Sequence, residues 1–326
     1  MFSDLRAVDV LAAARRLAGV VRETPLVPSP ALSRLAGGEV LLKLENEQVT
    51  GSFKLRGAYN ALATLPDERR ARGVVASSAG NHGLGVAWAA RALGIDATIF
   101  VPSTAPRVKR DGIAALGARV DDGQPDYDAA MVAAKAYAAE RGATFINPCL
   151  GEMLLAGQGT VAFEILSARP DVASLVVPVG GGGLLGGTGS LVRRIAPSVR
   201  LLGAQSERTR AMSESLAMGR LTEVPVEPTL ADGLAGQIDE EAYDIGRHAL
   251  DAIVRVSESA IGDAIRLLAR EHGARVEGAG AVGVAALAQG SYGDALRFPA
   301  VLVVSGGNID QERFDRLSAE RREPRV

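Results

Sequence analysis

Val176-Val177-Pro178-Val179-Gly180-Gly181-Gly182-Gly183-Leu184-Leu185-Gly186-Gly187 sets an apolar, β-branched run directly before four consecutive glycines and a second apolar stretch. The first run, 174–179, reads as a buried strand, and the residues after the glycines read as a helix. Glycines let several backbone N–H groups turn toward one point, and at a helix start the macrodipole adds a positive field there. An anion is the expected occupant, and a phosphate is the natural one. From the residues alone two other readings stay open. Gly181, Gly183 and Gly186 satisfy the G-x-G-x-x-G spacing of a dinucleotide site, with Glu207 about twenty residues further on, which would suit a nicotinamide-dependent oxidoreductase. A purely structural glycine turn is the third.

Outward from this stretch the same alternation fills the chain. Runs rich in Val and Ile at 40–45, 73–78, 97–102, 144–147, 201–205, 252–256 and 300–305 predict further strands, separated by helical patterns such as 84–93, 127–141 and 261–271. Alternating strand and helix predict an α/β protein with largely parallel sheets covered on both faces. No repeat or low-complexity linker interrupts the pattern, so a second domain is expected as an excursion of the chain, without a flexible tether. The charged end, 312–326, reads as a solvated helix or a frayed end.

Composition narrows the partners. The chain has 326 residues, 47% of them hydrophobic and 23% charged, enough for one large domain or two modest ones. Its formal charge of −2 provides no field to attract nucleic acid or an anionic membrane, so a small-molecule substrate is expected. Cys149 is the single cysteine and there are three histidines, which excludes an internal disulfide and a zinc-like cluster built from these residues and fits a reducing cytoplasm. Asp4, Arg6, Asp9, Arg15 and Arg16 break up the apolar residues at the start, and nothing later approaches a membrane span. A soluble, unprocessed protein is the expectation.

Three more stretches carry chemistry. In Thr50-Gly51-Ser52-Phe53-Lys54-Leu55-Arg56-Gly57-Ala58 a helix opens after a strand, with Ser52 as its predicted N-cap. Lys54 then lies beside the positive end of a helix and between two apolar side chains, where its amine is easier to deprotonate and can attack a carbonyl. A surface lysine is the alternative for this stretch alone. Ser77-Ser78-Ala79-Gly80-Asn81-His82-Gly83 offers hydroxyls, an amide and free N–H groups at a helix start, suited to a carboxylate and a phenolic oxygen. Its alternative is an N-cap turn with Asn81 in the left-handed conformation. Val303-Val304-Ser305-Gly306-Gly307-Asn308 ends a strand in a hydroxyl and two flexible residues, or is an ordinary turn.

Taken in this order, the segments resemble the fold-type II pyridoxal-phosphate enzymes, and most closely the threonine and serine dehydratases. Gly157-Gln158-Gly159-Thr160 and Glu277-Gly278-Ala279-Gly280-Ala281 extend the resemblance over nearly the whole chain. It implies a fold like that of the tryptophan synthase β chain, with pyridoxal 5'-phosphate in a cleft between two α/β domains. It implies that Lys54 bonds the cofactor aldehyde, Phe53 lies against the ring and Asn81 bonds the phenolic oxygen. Gly180, Gly181, Gly182 and Gly183 with Leu184 would bind the phosphate, Ser305 would face the pyridine nitrogen, and Glu277 would line the pocket. Ser78, Ala79, Gly80, Asn81 and His82 would hold the substrate carboxylate. A carboxylate at the pyridine nitrogen would favour transamination, whereas a serine there suits elimination of a β leaving group. The implied reaction is dehydration of a β-hydroxy amino acid to a 2-oxo acid and ammonia.

Departures from the pattern refine this. Serine racemases of the family carry a serine as second base where this chain has Ala79, so racemisation is not the expected activity. Metal-dependent relatives carry a glutamate ligand where this chain has Gln205, a weaker ligand for a hard cation, so no metal site is expected. Asn147-Pro148-Cys149-Leu150-Gly151-Glu152 differs from the usual threonine dehydratase segment and leaves 3-hydroxyaspartate or a hydroxyectoine-pathway intermediate open as substrates beside threonine and serine. Cys149 is expected to be buried and inert. The resemblance further implies a homodimer, a large domain of residues 1–72 and 149–326, and a small domain of residues 73–148 that closes over substrate. The length leaves no room for the C-terminal regulatory domain of the long biosynthetic threonine dehydratases.

Overall fold

The computed structural model describes residues 7–319. The chain forms two compact units, one made of Met1–Glu23, Gln48–Glu164 and Gly182–Ile195, the other of Thr24–Glu47, Ile165–Gly181 and Ala196–Val326. Residues 73–148 lie wholly inside the first unit, which also takes in the Lys54 helix and the helix after the glycines. Of the charged end, Gln311–Ser318 is helical, and 320–326 lie outside the described residues.

Strands are numbered in chain order. The second unit holds a six-stranded sheet of β1 (Leu26–Pro28), β2 (Val40–Leu44), β7 (Ser174–Pro178), β8 (Arg200–Ser206), β9 (Ala252–Val256) and β10 (Ala300–Val304). They lie in the order β1-β2-β10-β7-β8-β9, and every pairing is parallel except β1 with β2. Leu302 sits beside Leu42 on one side and Val176 on the other. These three strands are buried at every residue, which is why, Lys43 and Ser174 apart, they read as apolar runs without alternation. On the sheet lies α13 (Gly278–Ala288), buried from Gly278 to Leu287 and packed against β7, β8 and β10 and against α12 (Glu258–His272).

The first unit holds a parallel four-stranded sheet, β3 (Val74–Ser77), β4 (Ala97–Pro102), β5 (Arg119–Gln124) and β6 (Thr144–Phe145), in the order β5-β4-β3-β6. Its helices include α5 (Asn81–Leu93) and α7 (Tyr127–Arg141). Ala130, Ala134 and Ala138, one helical turn apart along α7, pack on Val75 and Phe100.

Three more helices, α3 (Lys54–Ala63), α8 (Glu152–Ala168) and α9 (Gly183–Ile195), meet along glycine seams. A Cβ at Gly157 would lie 2.5 Å from the Arg56 carbonyl oxygen, and one at Gly159 would lie 2.8 Å from the Gly187 carbonyl oxygen. Only glycine permits backbone contact this close, so α8 acts as a spacer of fixed thickness between α3 and α9.

Strands occur at every position the sequence predicted. The sequence reading missed β1 and β5. The first is three residues long, ends in Pro28 and pairs only at an edge, whereas Arg-Val-Asp-Asp-Gly-Gln of β5 carries the charges that protect an edge strand.

Candidate active site

In an open parallel sheet a ligand fits at the carboxyl ends of two neighbouring strands where the strand order reverses, because the loops diverge there. In the first unit this point lies between β3 and β6, flanked by the loop 78–82 and by the segment 146–151. In the second unit it lies between β7 and β10, flanked by the start of the glycine run and by Ser305-Gly306-Gly307-Asn308. All the motifs singled out as loops fall at these two points.

Lys54 is the first residue of α3, half-buried, and its Nζ donates to the Pro148 carbonyl at 2.6 Å. The same nitrogen is 5.4 Å from the centroid of the Phe53 ring. Gly85 of α5 approaches the Lys54 and Leu55 backbone closely enough that a Cβ there would lie 3.3 Å from it. The N-cap is Phe53 and not Ser52 as predicted. Ser52 does not cap the helix, because its hydroxyl is fully buried and makes no hydrogen bond to the first turn.

Behind Lys54, Arg56 fastens α3 to α8. Its fully buried guanidinium grips both Glu164 carboxylate oxygens, at 2.5 and 2.9 Å, and donates to Thr160 Oγ1 at 3.2 Å. Gln158 Oε1 accepts from the Gly57 N–H at 3.2 Å.

In the loop after β3, Ser78 Oγ accepts from the N–H of Gly80, the N-cap of α5, at 3.1 Å. Asn81 opens the helix, and no described residue other than glycine has a positive φ, so the left-handed alternative for Asn81 does not occur. His82 is buried, with Nε2 3.0 Å from the Ile146 carbonyl. A carbonyl can only accept, so Nε2 carries the proton. Burial, and then the charge of Lys54, push the His82 pKa down to about 3 against the opposing effect of the Ile146 bond. The ring is therefore neutral, and its Nδ1 is a buried acceptor without a partner.

Segment 146–151 is thus held from two sides, at Ile146 by His82 and at Pro148 by Lys54. Asn147 Oδ1 stiffens it by accepting from the N–H groups of Cys149 and Leu150 at 2.8 and 2.9 Å. Cys149 is half-buried, contrary to the expectation of a buried thiol, because it lies in this loop and not in a packed element. Its carbonyl closes on Gly183, where a Cβ would come within 3.0 Å.

The glycine run is where the chain passes from the second unit to the first. Gly180 and Gly181 belong to the second, and a Cβ at Gly180 would lie 3.1 Å from Leu234 Cα. Gly182 has φ +87°, which excludes most side chains, and Gly183 opens α9 with Leu184 buried behind it. The first N–H groups of α9 have no helical partner of their own.

In the second unit Ser305 follows β10 and is buried, and the N–H of Glu277, the N-cap of α13, donates to the Gly306 carbonyl at 3.1 Å. Against them lies a loop the sequence reading missed. Glu258 anchors it by accepting from Thr229 Oγ1 at 2.8 Å and from the Leu230 N–H at 2.5 Å. Gly278 abuts the Leu230 carbonyl, and Gly233 faces Ala279.

Each taken within its own unit, a half-buried amine at a helix start can bond an aldehyde, and a glycine run that side chains would fill can hold a phosphate, so the residues present fit a cofactor that carries both groups. Among the described residues, no helix is long and apolar enough to cross a membrane.

Known proteins bear this out. The L-threonine ammonia-lyase of Thermotoga maritima is 44% identical over 310 residues, covering 95% of this chain and 77% of that protein. The processed form of threonine deaminase isoform 2 from Solanum lycopersicum superposes with a TM-score of 0.90 at 32% identity, covering 96% of this chain and 86% of that one. Maize serine racemase also superposes with a TM-score of 0.90, at 30% identity and 95% and 96% coverage. Residues 17–306 match the family described as pyridoxal-phosphate dependent enzyme, and on that match, with a glycine cradle and an amine already in place, the chain belongs to this family in its fold-type II form.

Proposed function

We propose that the protein is an ammonia-lyase that converts L-threonine or L-serine to a 2-oxo acid and ammonia. The observation that carries this reading is the Lys54 amine, held at the start of α3 with its nitrogen fixed on the Pro148 carbonyl. Similarity to the Thermotoga ammonia-lyase and the tomato deaminase supports the substrate class.

When bound, pyridoxal phosphate draws electrons from the substrate α carbon and makes its proton removable by an amine. Lys54 is the proposed base for that proton. Phe53, Asn81, the glycines 180–183, Leu184, Glu277 and Ser305 are the proposed cofactor contacts. Ser305, an uncharged partner for the pyridine nitrogen, fits elimination better than transamination. The start of α5, with Ser78, Ala79, Gly80, Asn81 and His82, is proposed to receive the substrate carboxylate, which the helix field of that end favours. A neutral His82 keeps a second proton source away from the anion. The β-hydroxyl, with a proton equivalent to the one Lys54 takes from the α carbon, leaves as one water and gives an unsaturated amine; after release this tautomerises and takes up one water, yielding the 2-oxo acid and ammonia.

The likeness to maize serine racemase favours a second reading, racemisation, but Ala79 has no hydroxyl to act as a base on the far face. A cytoplasmic homodimer is part of the proposal, supported by the family resemblance, and sedimentation velocity tests its dimeric state. The main test is release of 2-oxo acid and ammonia from L-threonine, L-serine and 3-hydroxyaspartate by cofactor-loaded enzyme. Threonine or serine should show the highest kcat/KM. Cofactor-loaded enzyme that releases no oxo acid from any of the three would overturn the proposal.

A further inference from the structure

Gln205 lies in β8, buried with 1% of its surface exposed, and takes no part in the proposed reaction. Its amide is satisfied on every side. Nε2 donates to the Val179 carbonyl at 3.0 Å and to the Thr209 carbonyl at 2.7 Å, while Oε1 accepts from the Ser213 N–H at 3.0 Å. Two acceptors and one donor fix the orientation of the amide, since the reverse assignment would set its oxygen against two carbonyls. Ser213 lies in the first turn of α10 (Ala211–Met218), whose own N-cap, Arg210, provides no side-chain cap, so Gln205 supplies it. Val179 directly precedes Gly180. One side chain thus ties the start of the glycine run to β8 and to the start of α10.

Two carbonyl oxygens that converge on one buried point form half of a site for a hard cation, which would need a carboxylate to complete it. Here an amide nitrogen takes that point, so the residues present do not fit a metal ion. We infer that Gln205 is a positioning residue for the phosphate-binding glycine run, and that its amide nitrogen does there what a bound cation would otherwise do, making cofactor retention independent of metal. The inference rests on the proposed role of glycines 180–183 in holding the cofactor phosphate, and not on which amino acid is turned over.

The test is the dissociation constant of pyridoxal phosphate, read from its visible absorption, for wild type and Gln205→Glu, each in chelator and in millimolar Ca²⁺ or Mg²⁺. The melting temperature of the cofactor-free protein is read alongside. Wild type should give the same values in all conditions. Gln205→Glu sets a carboxylate oxygen against two carbonyls, so in chelator its cofactor affinity should fall by about tenfold or more, the scale of buried hydrogen bonds left unmade. Either cation should restore the affinity and raise the melting temperature of this variant alone. Gln205→Met, which removes the amide without adding charge, should show the loss without the rescue, and covers the case in which the glutamate variant fails to fold. A wild type whose cofactor affinity changes with chelator or cation overturns the inference. So does either variant binding the cofactor as wild type does in chelator, or a glutamate variant that no cation rescues.

Discussion

Glu164→Ala isolates the clamp behind Lys54. The Arg56 side chain is 0% exposed and that of Glu164 is 14% exposed, so the substitution removes the countercharge and leaves the guanidinium buried. Among the groups that stay in reach are the Thr160 hydroxyl at 3.2 Å and the Arg22 carbonyl at 3.4 Å, both neutral. Breaking a buried ion pair from one side costs about 3–5 kcal/mol, and because water reaches the Glu164 side, the lower end, ~3 kcal/mol, is expected. Arg56→Met should cost less, since a carboxylate left at that partly open edge can hydrate. The double variant Arg56→Met/Glu164→Leu should recover at least about 1–2 kcal/mol relative to the sum of the single losses, because no unpaired charge remains. Urea denaturation of cofactor-free protein measures all of this without the stabilisation that ligand binding adds. Arg56 is two residues from Lys54, so Glu164→Ala should also weaken cofactor binding. A loss below about 1 kcal/mol for Glu164→Ala, or single losses that simply add, would refute the assignment of the pair as the fastening of α3 to α8.

Lys54→Ala should abolish turnover while leaving the fold intact, and borohydride reduction of wild type followed by mass spectrometry should place the pyridoxyl label on Lys54; a label on another lysine refutes this. His82, with its pKa held at about 3 against an ordinary 6.5, is neutral in the folded chain while the unfolded chain takes up the proton first as pH falls. Its contribution to stability is therefore full above the unfolded pKa and is lost progressively as pH drops toward the folded one, on the order of a few kcal/mol at ~1.4 kcal/mol per unit. His82→Gln should show a shallower acid limb in a stability–pH curve, and parallel limbs would contradict the buried neutral ring. Ala79→Ser should raise the ratio of D-isomer to 2-oxo acid formed from L-serine, measured by chiral chromatography, and an unchanged ratio would remove the argument against racemisation.

What could be read from the sequence was what is encoded locally. Four glycines between a strand and a helix, or Ser-Ala-Gly-Asn-His at a helix start, state their backbone demands within a few residues, and each was found at a switch point of a sheet. The support around them was not legible because its partners are far apart in the chain. Arg56 and Glu164 are separated by 108 residues, and nothing near either one announces the other. The loop anchored by Glu258 escaped notice for the same reason: Thr229 and Leu230 carry no motif, and only the fold brings the carboxylate of a helix start to them. The Ser52 cap failed for a different reason. Ser52 has the right residue type at nearly the right place, but its buried hydroxyl makes no bond to the first turn, which residue type alone does not reveal.

The segment 146–151 shows how a departure in sequence can leave the contacts of Lys54 untouched. It overlaps the run 147–152, whose departure from the threonine dehydratase pattern put the substrate in question when the sequence was read alone. Yet the bonds that hold it to Lys54, the proposed base, and to the loop after β3 run to the carbonyls of Pro148 and Ile146, which every residue possesses. The one side chain that shapes the segment is Asn147, through its two bonds to the N–H groups of Cys149 and Leu150. Changes at Cys149 or Leu150 are thus free to alter what the segment presents to a ligand without releasing Lys54, whereas loss of Asn147 or of the His82 N–H would loosen the base itself. Cys149 and Leu150 therefore lie where specificity can vary while the contacts of Lys54 are kept.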